Sequence, residues 1–465
     1  MSETCTISEG SLKAPTRHPV DWRNPDFYDE GKLDAELRRV FDLCHGCRRC
    51  FNLCDSFPRL FDMIDATESG ELHDVGSDRF KPVVDACTLC DLCFMTKCPY
   101  VPPHDFDLDF PHLMLRYRAI EHRKGRTPLA IRELTKTDRN GKLAALAAPV
   151  ANWASDTGNM LTRPALEAVA GVHRDAHLPR FHGKTFALRA ESDGLTPNRK
   201  APAFGRKAVL YATCFVNYNN PSIGTAARAV LAHNGVETEV VYPACCGMPQ
   251  LEQGDLAAVS DRAAKVAGEL AGWIDRGYDV IALVPSCALM LKFEWPLIVP
   301  KDAPHRTSVE KLAAHAFDIS QYVVDIARNA GLAPGLKPLP GGVTLHLACH
   351  ARAQNMGPKA AEMLRLIPGV DGKAPDVKVV ERCSGHGGSW GIMTENYEVA
   401  LKIGKPVATQ ALKQSKAFVA SECPLAGAHI TQGMERLGKD APQPPAEFET
   451  LHPIEIFARA YGLAG

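Results

Sequence analysis

Two different patterns of apolar and polar positions divide this chain near residue 200. Across residues 33–43 apolar side chains recur at helical spacing, and that segment leads into a dense run of cysteines. Pro99, Pro102, Pro103 and Pro111 punctuate the exit from a second run, so residues 37–125 are expected to be mostly helix and loop. From residue 201 short β-rich runs alternate with longer helical ones. Residues 207–212, 237–242 and 280–284 read as strands; 223–233 and 255–275 read as helices, with Gly235 as a stop signal. The same order then returns, with strands expected at 343–347, 377–380 and 417–420 and helices at 359–366 and 395–413.

Each of these predicted strands runs into a cysteine. Cys214, Cys245 and Cys287 recur as Cys349, Cys383 and Cys423, displaced by 135, 138 and 136 positions, which marks a tandem duplication. In open α/β sheets the carboxyl ends of the strands converge on a ligand crevice. Cys214, Cys245, Cys246 and Cys287 are therefore expected to gather as a metal site, a candidate third cluster. Gly247, Gly385, Gly387 and Gly388 would let backbone approach such a group closely. The second repeat is depleted, reading Cys383-Ser384-Gly385 where the first reads Cys245-Cys246-Gly247. Its Cys349, Cys383 and Cys423 leave two readings open. They hold a cluster whose fourth position is open or filled by a residue other than cysteine, such as His350 or His386, or they are relics packed as small apolar side chains.

The expected organisation is an N-terminal extension over 1–36, a helical cysteine-run domain over 37–125, a linker over 126–200, and α/β cysteine-rich domains over 201–330 and 331–465. The linker carries an apolar stretch, residues 142–153. Arg132, Lys136, Arg139 and Lys142 lead into it, and Arg163, Arg174 and Arg180 follow. It is too short to span a bilayer. It reads either as an interfacial membrane contact or as a docking segment packed between domains.

At 465 residues with 45% apolar composition, the chain is long enough for about three packed domains. Its 53 Lys and Arg against 54 Asp and Glu leave no basic excess, so a nucleic-acid partner is not expected. Sixteen cysteines is a high number, and Met1-Ser2-Glu3-Thr4-Cys5 has neither the basic nor the apolar region of an export signal. Metal binding in a reducing cytoplasm is the expected reason for them.

The two runs carry the chemistry. One places Cys44, Cys47, Cys50 and Cys54, the other Cys87, Cys90, Cys93 and Cys98. A C-x-x-C-x-x-C triplet followed by a fourth cysteine is the ligand spacing of a two-cluster 4Fe–4S ferredoxin, in which each triplet takes its remote ligand from the other run. That assigns Cys44, Cys47, Cys50 and Cys98 to one cluster and Cys87, Cys90, Cys93 and Cys54 to the other. Zinc sites favour separated C-x-x-C pairs, and a disulfide framework suits a secreted chain. Two departures stand: Asp55 follows Cys54 where ferredoxins often have proline, and one extra residue separates Cys93 from Cys98. Gly385-His386-Gly387-Gly388 lacks the third glycine of a dinucleotide fingerprint, because Trp390 sits there. Leu178 occupies the first glycine position of a P-loop ending at Gly183-Lys184-Thr185. Electrons are therefore expected to arrive from a partner.

With these motifs in place the chain resembles the iron–sulfur (C) subunits of anaerobic glycerol-3-phosphate dehydrogenases over roughly residues 37–465. The matching stretches are Cys214-Phe215-Val216-Asn217-Tyr218-Asn219, Cys245-Cys246-Gly247-Met248-Pro249, Gly391 with Glu395-Asn396-Tyr397, and Leu451-His452-Pro453-Ile454-Glu455. The Asn152-Trp153 segment resembles one found there too. The chain is also similar to glycolate oxidase iron–sulfur subunits, and to heterodisulfide reductase with its C and B polypeptides fused. The resemblance implies a mainly α ferredoxin-like 4Fe–4S domain followed by two tandem α/β cysteine-rich (CCG) domains. It implies a flavoprotein dehydrogenase as electron donor, membrane quinone or a second partner as acceptor, and a cytoplasmic protein peripheral on the inner face of the membrane. Heterodisulfide reductase sites end in C-x-x-C; here that last position is Met290 in the first repeat and Ala426 in the second. A disulfide-reducing catalytic subunit, or a non-enzymatic redox cluster protein, is the alternative.

Overall fold

The structure is a computed structural model describing residues 15–439 and 447–463. Cys5 and the rest of the first fourteen positions of the expected extension, to which the reading of no export signal applies, lie outside the described residues. The chain forms two compact units. The first runs to Arg126 and takes in Glu252–Asp255; the second comprises Thr127–Leu251 and Leu256 onward.

Every described regular element of the first unit is helical. Its main helices are Glu30–Cys47, Ser56–Asp65, Lys81–Asp85 and Phe110–Arg123. Glu30–Cys47 begins where the Asp29 carboxylate accepts the Lys32 N–H, and it buries Leu33, Leu37, Val40 and Phe41, one stripe at helical spacing. The core beneath that stripe is aromatic. Phe41 stands edge-on to Phe80 at 5.1 Å between centroids, and Phe57 tilts onto Phe110 at 4.8 Å.

The second unit holds two four-stranded parallel sheets. Strands β1 (Lys207–Tyr211), β2 (Glu237–Val241), β3 (Asp279–Ala282) and β4 (Ala316–Asp318) lie in the order β2-β1-β3-β4. Strands β5 (Val343–His346), β6 (Val377–Val380), β7 (Phe418–Ser421) and β8 (Glu449–Leu451) lie in the order β6-β5-β7-β8. The central strands β1, β3, β5 and β7 are almost wholly buried, as strands covered on both faces must be. In each sheet the strand preceding the first cysteine is central, so the duplicated sequence is also a duplicated topology.

Residues 127–200 are not a free linker. They form short helices that pack within the second unit and touch both repeats. Phe186 fills the space left by Gly224 of the first repeat, where a Cβ would meet its ring at 2.5 Å. The Gly171 carbonyl accepts the Thr394 N–H at 2.8 Å, and His173 stacks on Tyr397 of the second repeat at 4.0 Å. Arg163, 1% exposed, ties the segment to itself by donating to the carbonyls of Arg174, His173 and Ala176. Among the described residues no helix is long and apolar enough to cross a membrane.

Two buried histidines lock the second sheet. His346 accepts the Ser421 hydroxyl at Nδ1 (3.0 Å) and donates from Nε2 to the Arg382 carbonyl (2.9 Å). His452 caps the helix Pro453–Ala460 by accepting the Ile454 N–H at Nδ1, and it donates from Nε2 to the Glu422 carbonyl. A ring nitrogen that accepts a backbone N–H carries no proton, so His452 is neutral. Burial holds both rings down to about 4. Because these folded values lie below the unfolded value of about 6.5, their contribution is complete above that pH and is lost as pH falls through 6.5 toward 4. The protein should lose about 3 kcal/mol per histidine across this window. Urea midpoints taken at half-unit pH steps should fall on acidification, and His452→Asn, which keeps a capping acceptor, should flatten part of the slope. A variant as acid-sensitive as the parent would show that His452 does not titrate on unfolding.

Candidate iron–sulfur sites

In the first unit the cysteine run begins on a helix rather than in a loop. Cys44 and Cys47 occupy the last turn of Glu30–Cys47, Arg48 ends it in the left-handed region (φ 51°), and the chain doubles back to bring Cys50 beside them. Asp65 holds that turn. It accepts Arg48 Nη1 at 2.8 Å and faces His45 Nε2 at 2.9 Å, and these hydrogen bonds pull its carboxyl well below the usual range. In the second run Leu89 and Asp91 both take positive φ, and Arg17 clasps the loop by donating to Asp91 and to Asp109. Cys98 closes a single π turn by donating its N–H to the Cys93 carbonyl at 2.8 Å.

The sulfurs then assemble across the runs. Desolvation pushes the Cys44 thiol well up, and Cys98, Cys50 and Cys47 push it further. Desolvation, then Cys98 and Cys47, raise Cys50 to about 12. Cys93 is raised by desolvation and then by Cys90, Cys87 and Cys54, with Cys50 adding from the other set. Cys54 thus stands with the second triplet and Cys98 with the first. Among the described residues no three His, Cys, Asp or Glu donors surround one point tightly enough for a single ion. Crowded thiols are the donor type that iron–sulfur clusters take, and the two runs supply eight of them.

The first sheet's crevice gathers four more. Cys214 starts a short helix directly after β1, Cys245 and Cys246 follow β2, and Cys287 follows β3. Their sulfurs stand 3.7 Å apart for Cys214 and Cys245 and 3.3 Å for Cys246 and Cys287. The Cys245 sulfur accepts from Cys214, which favours its thiolate; Cys246, donating to Cys287, is pushed up. Asp138 braces the rim by accepting the Tyr242 hydroxyl, the Cys245 N–H at 3.0 Å and Arg262 Nη1 at 2.6 Å. Trp295, fully buried, donates to the Cys246 carbonyl at 3.0 Å.

The second crevice is built differently. The Cys383 sulfur accepts the Gly385 N–H at 3.3 Å, whereas Cys423, raised mainly by burial, lies in electrostatic range of Cys287 from the first repeat. Cys349 opens the helix Cys349–Ala353. Ser384 stands where the first repeat has Cys246. His386 and His429 lie 6.0 Å apart between ring centroids, each with a buried Nε2 that has no hydrogen-bond partner. Burial drives His386 down to about 3. Gly385 serves packing here, since a Cβ would meet the Ala400 carbonyl oxygen at 2.0 Å. Helix Tyr397–Gln414 makes this close approach at that glycine.

A model of the cysteine-rich domain family named CCG matches residues 208–292 and 343–431, one stretch over each sheet. The chain carries two CCG domains. The C polypeptide of anaerobic glycerol-3-phosphate dehydrogenase from Escherichia coli K12 is 26% identical over 298 residues, covering 62% of this chain and 69% of that protein. The B polypeptide of the CoM/CoB fumarate reductase of Methanothermobacter marburgensis is 27% identical over 260 residues, covering 55% of this chain and 47% of that protein. Lactate utilization protein A of Bacillus pumilus is 27% identical over 189 residues, covering 40% of this chain and 75% of that protein.

Asp138, Arg262 and Trp295 support the first CCG crevice, and the sequence offers no sign of them. Asp138 comes from the expected linker. Arg262 looks like any charge on a long helix. Asp138→Ala would leave a guanidinium, a hydroxyl and an N–H without their acceptor, so it should lower stability by about 2–3 kcal/mol. Asp138→Asn, which keeps an acceptor oxygen, should lose less. Chemical denaturation of the two variants beside the parent checks this ranking, and equal losses would show that the charge on Asp138 carries the brace.

Proposed function

We propose that this chain is an iron–sulfur electron-transfer subunit. It carries electrons from a flavoprotein dehydrogenase, of glycerol-3-phosphate or 2-hydroxy-acid type, toward membrane quinone. The carrying observation is that the two cysteine runs act on one another: Cys98 acts on Cys44 and Cys50 of the first run, and Cys54 acts on Cys93 of the second, which supports an exchange of remote ligands. Those sets would hold two 4Fe–4S clusters, and Cys214, Cys245, Cys246 and Cys287 a third group. When bound, such clusters supply one-electron steps between partners.

The chain's own residues do the rest. Arg17, Arg48 and Asp65 fix the loops. Burial of Cys87 and Cys93 excludes water from one set. Asp138 and Arg262 hold the rim of the third site. No residue of the chain is assigned to hydride chemistry on an organic substrate, which the dehydrogenase partner would perform. Met290, wholly buried, occupies the position at which a C-x-x-C ending would supply another thiolate, which disfavours the disulfide-reducing alternative.

A peripheral membrane contact is supported by helices Thr137–Leu146 and Ala148–Ser155, which leave Leu143, Leu146, Val150 and Trp153 largely exposed beside Arg139 and Lys142. Leu146→Asp with Trp153→Ser should lower binding to vesicles containing anionic lipid several-fold. Sedimentation with vesicles reads this, and unchanged binding would remove the membrane role.

Iron counting and paramagnetic resonance of anaerobically prepared, dithionite-reduced protein test the central reading. Cys47→Ser should lose one cubane signal and keep the other; Cys54→Ser should do the reverse. Zinc in place of iron in the parent protein would overturn the proposal.

A further inference from the structure

Among the described residues Cys47 is the one exposed cysteine, whereas Cys87 and Cys93 of the other run are buried. Phe51, four positions on, is 56% exposed, its ring nearly parallel to the buried Phe61 at 6.4 Å. Two cations flank the same edge. Arg49 immediately precedes Cys50 and Lys97 immediately precedes Cys98, so each stands next to a cysteine of the proposed first set. Both side chains are exposed, and neither has a carboxylate partner among the described residues. The adjacent Arg48, by contrast, is held by Asp65.

A lone exposed aromatic is ordinary, and so is a lone exposed lysine. An exposed aromatic and two uncommitted cations around the one exposed sulfur form an aromatic contact with a charged rim, the composition of a transient protein interface. We infer that the edge bearing Cys47, Phe51, Arg49 and Lys97 is where the chain exchanges electrons with its redox partner, and that the partner meets it with a carboxylate-bearing surface. The inference rests on the electron-transfer reading proposed above and specifies which cysteine set faces the partner and with what chemistry. The transfer itself is one electron from the reduced cluster to the oxidised partner, with no bond made or broken. Unpaired cations at the rim would raise the encounter rate with an anionic surface and make it fall with salt.

The full-length, dithionite-reduced protein is oxidised in a stopped-flow instrument by hexacyanoferrate(III), an anionic reagent, by hexaammineruthenium(III), a cationic one, and by flavodoxin, an acidic protein. In the parent, hexacyanoferrate(III) and flavodoxin should slow as salt rises and hexaammineruthenium(III) should not. The double variant Arg49→Glu with Lys97→Glu should slow both anionic oxidants about tenfold and speed the cationic one. Lys402→Glu, an exposed change on the second unit, should alter none of them. Phe51→Ser should slow flavodoxin alone. If the double variant keeps parental rates and salt dependence with its iron and visible absorbance intact, the two cations only balance the thiolate charge and the docking assignment is wrong. A parent protein without iron would instead overturn the cluster reading beneath it.

Discussion

Thiols crowded in a desolvated space are the constraint on which the rest of this molecule depends. Burial and mutual proximity push Cys44, Cys50 and Cys93 upward together, so each set resists ionising as long as its neighbours are only other sulfurs. Only a cationic group could let all members of a set be thiolates at once. Such a set is costly to assemble without that group, and the surrounding chain is arranged to hold it regardless. Arg17 is clasped between Asp91 and Asp109, and Asp65 grips Arg48. These ion pairs, the first largely buried and the second exposed, do little for the hydrophobic core. They fix loops whose left-handed residues, Arg48, Leu89 and Asp91, are not glycines and need outside support.

The CCG domains reach the same end by another route. No single loop wraps the sulfurs; a parallel sheet delivers them from positions far apart in the chain. The cost moves from loop strain to sheet geometry. Strands β1, β2 and β3 must end level, and the rim must be braced where it opens, which is what Asp138 does with three donors at once. Cys245 shows the difference in electrostatic terms. It accepts from Cys214 and is drawn toward its thiolate, while Cys246 beside it is pushed the other way.

What is legible in the sequence follows from local pattern. Apolar runs ending at cysteines locate six of the eight strands within a residue or two. The tandem offset points to duplicated sheets, because a repeated topology must repeat its spacing. β4 and β8 escape, being three-residue edge strands too short to show periodicity. The helix reaching through Cys44 and Cys47 is hidden because tight cysteine spacing suggests a loop, although i, i+3 spacing also lies along one helix face. Residues 127–200 resemble a linker because their helices are short and mostly polar. What orders them is long-range: Arg163 reaching three carbonyls, and Phe186 meeting Gly224. No local signal carries contacts of that kind.

The two CCG domains also show what duplication permits. Both sheets keep their order and their buried central strands. Their crevices have not stayed alike. Ser384 stands for Cys246, His386 for Met248, and Cys423 lies within range of Cys287 from the first repeat. Each thiol removed from a crowded buried set removes one group whose ionisation its neighbours and burial oppose. The second domain keeps its shape through neutral hydrogen bonds, His346 to Ser421 and Arg382, and His452 to Ile454 and Glu422. Those contacts require uncharged imidazoles. One sheet architecture thus carries two different crevices, and the difference is set by which side chains stand at the ends of the same three strands.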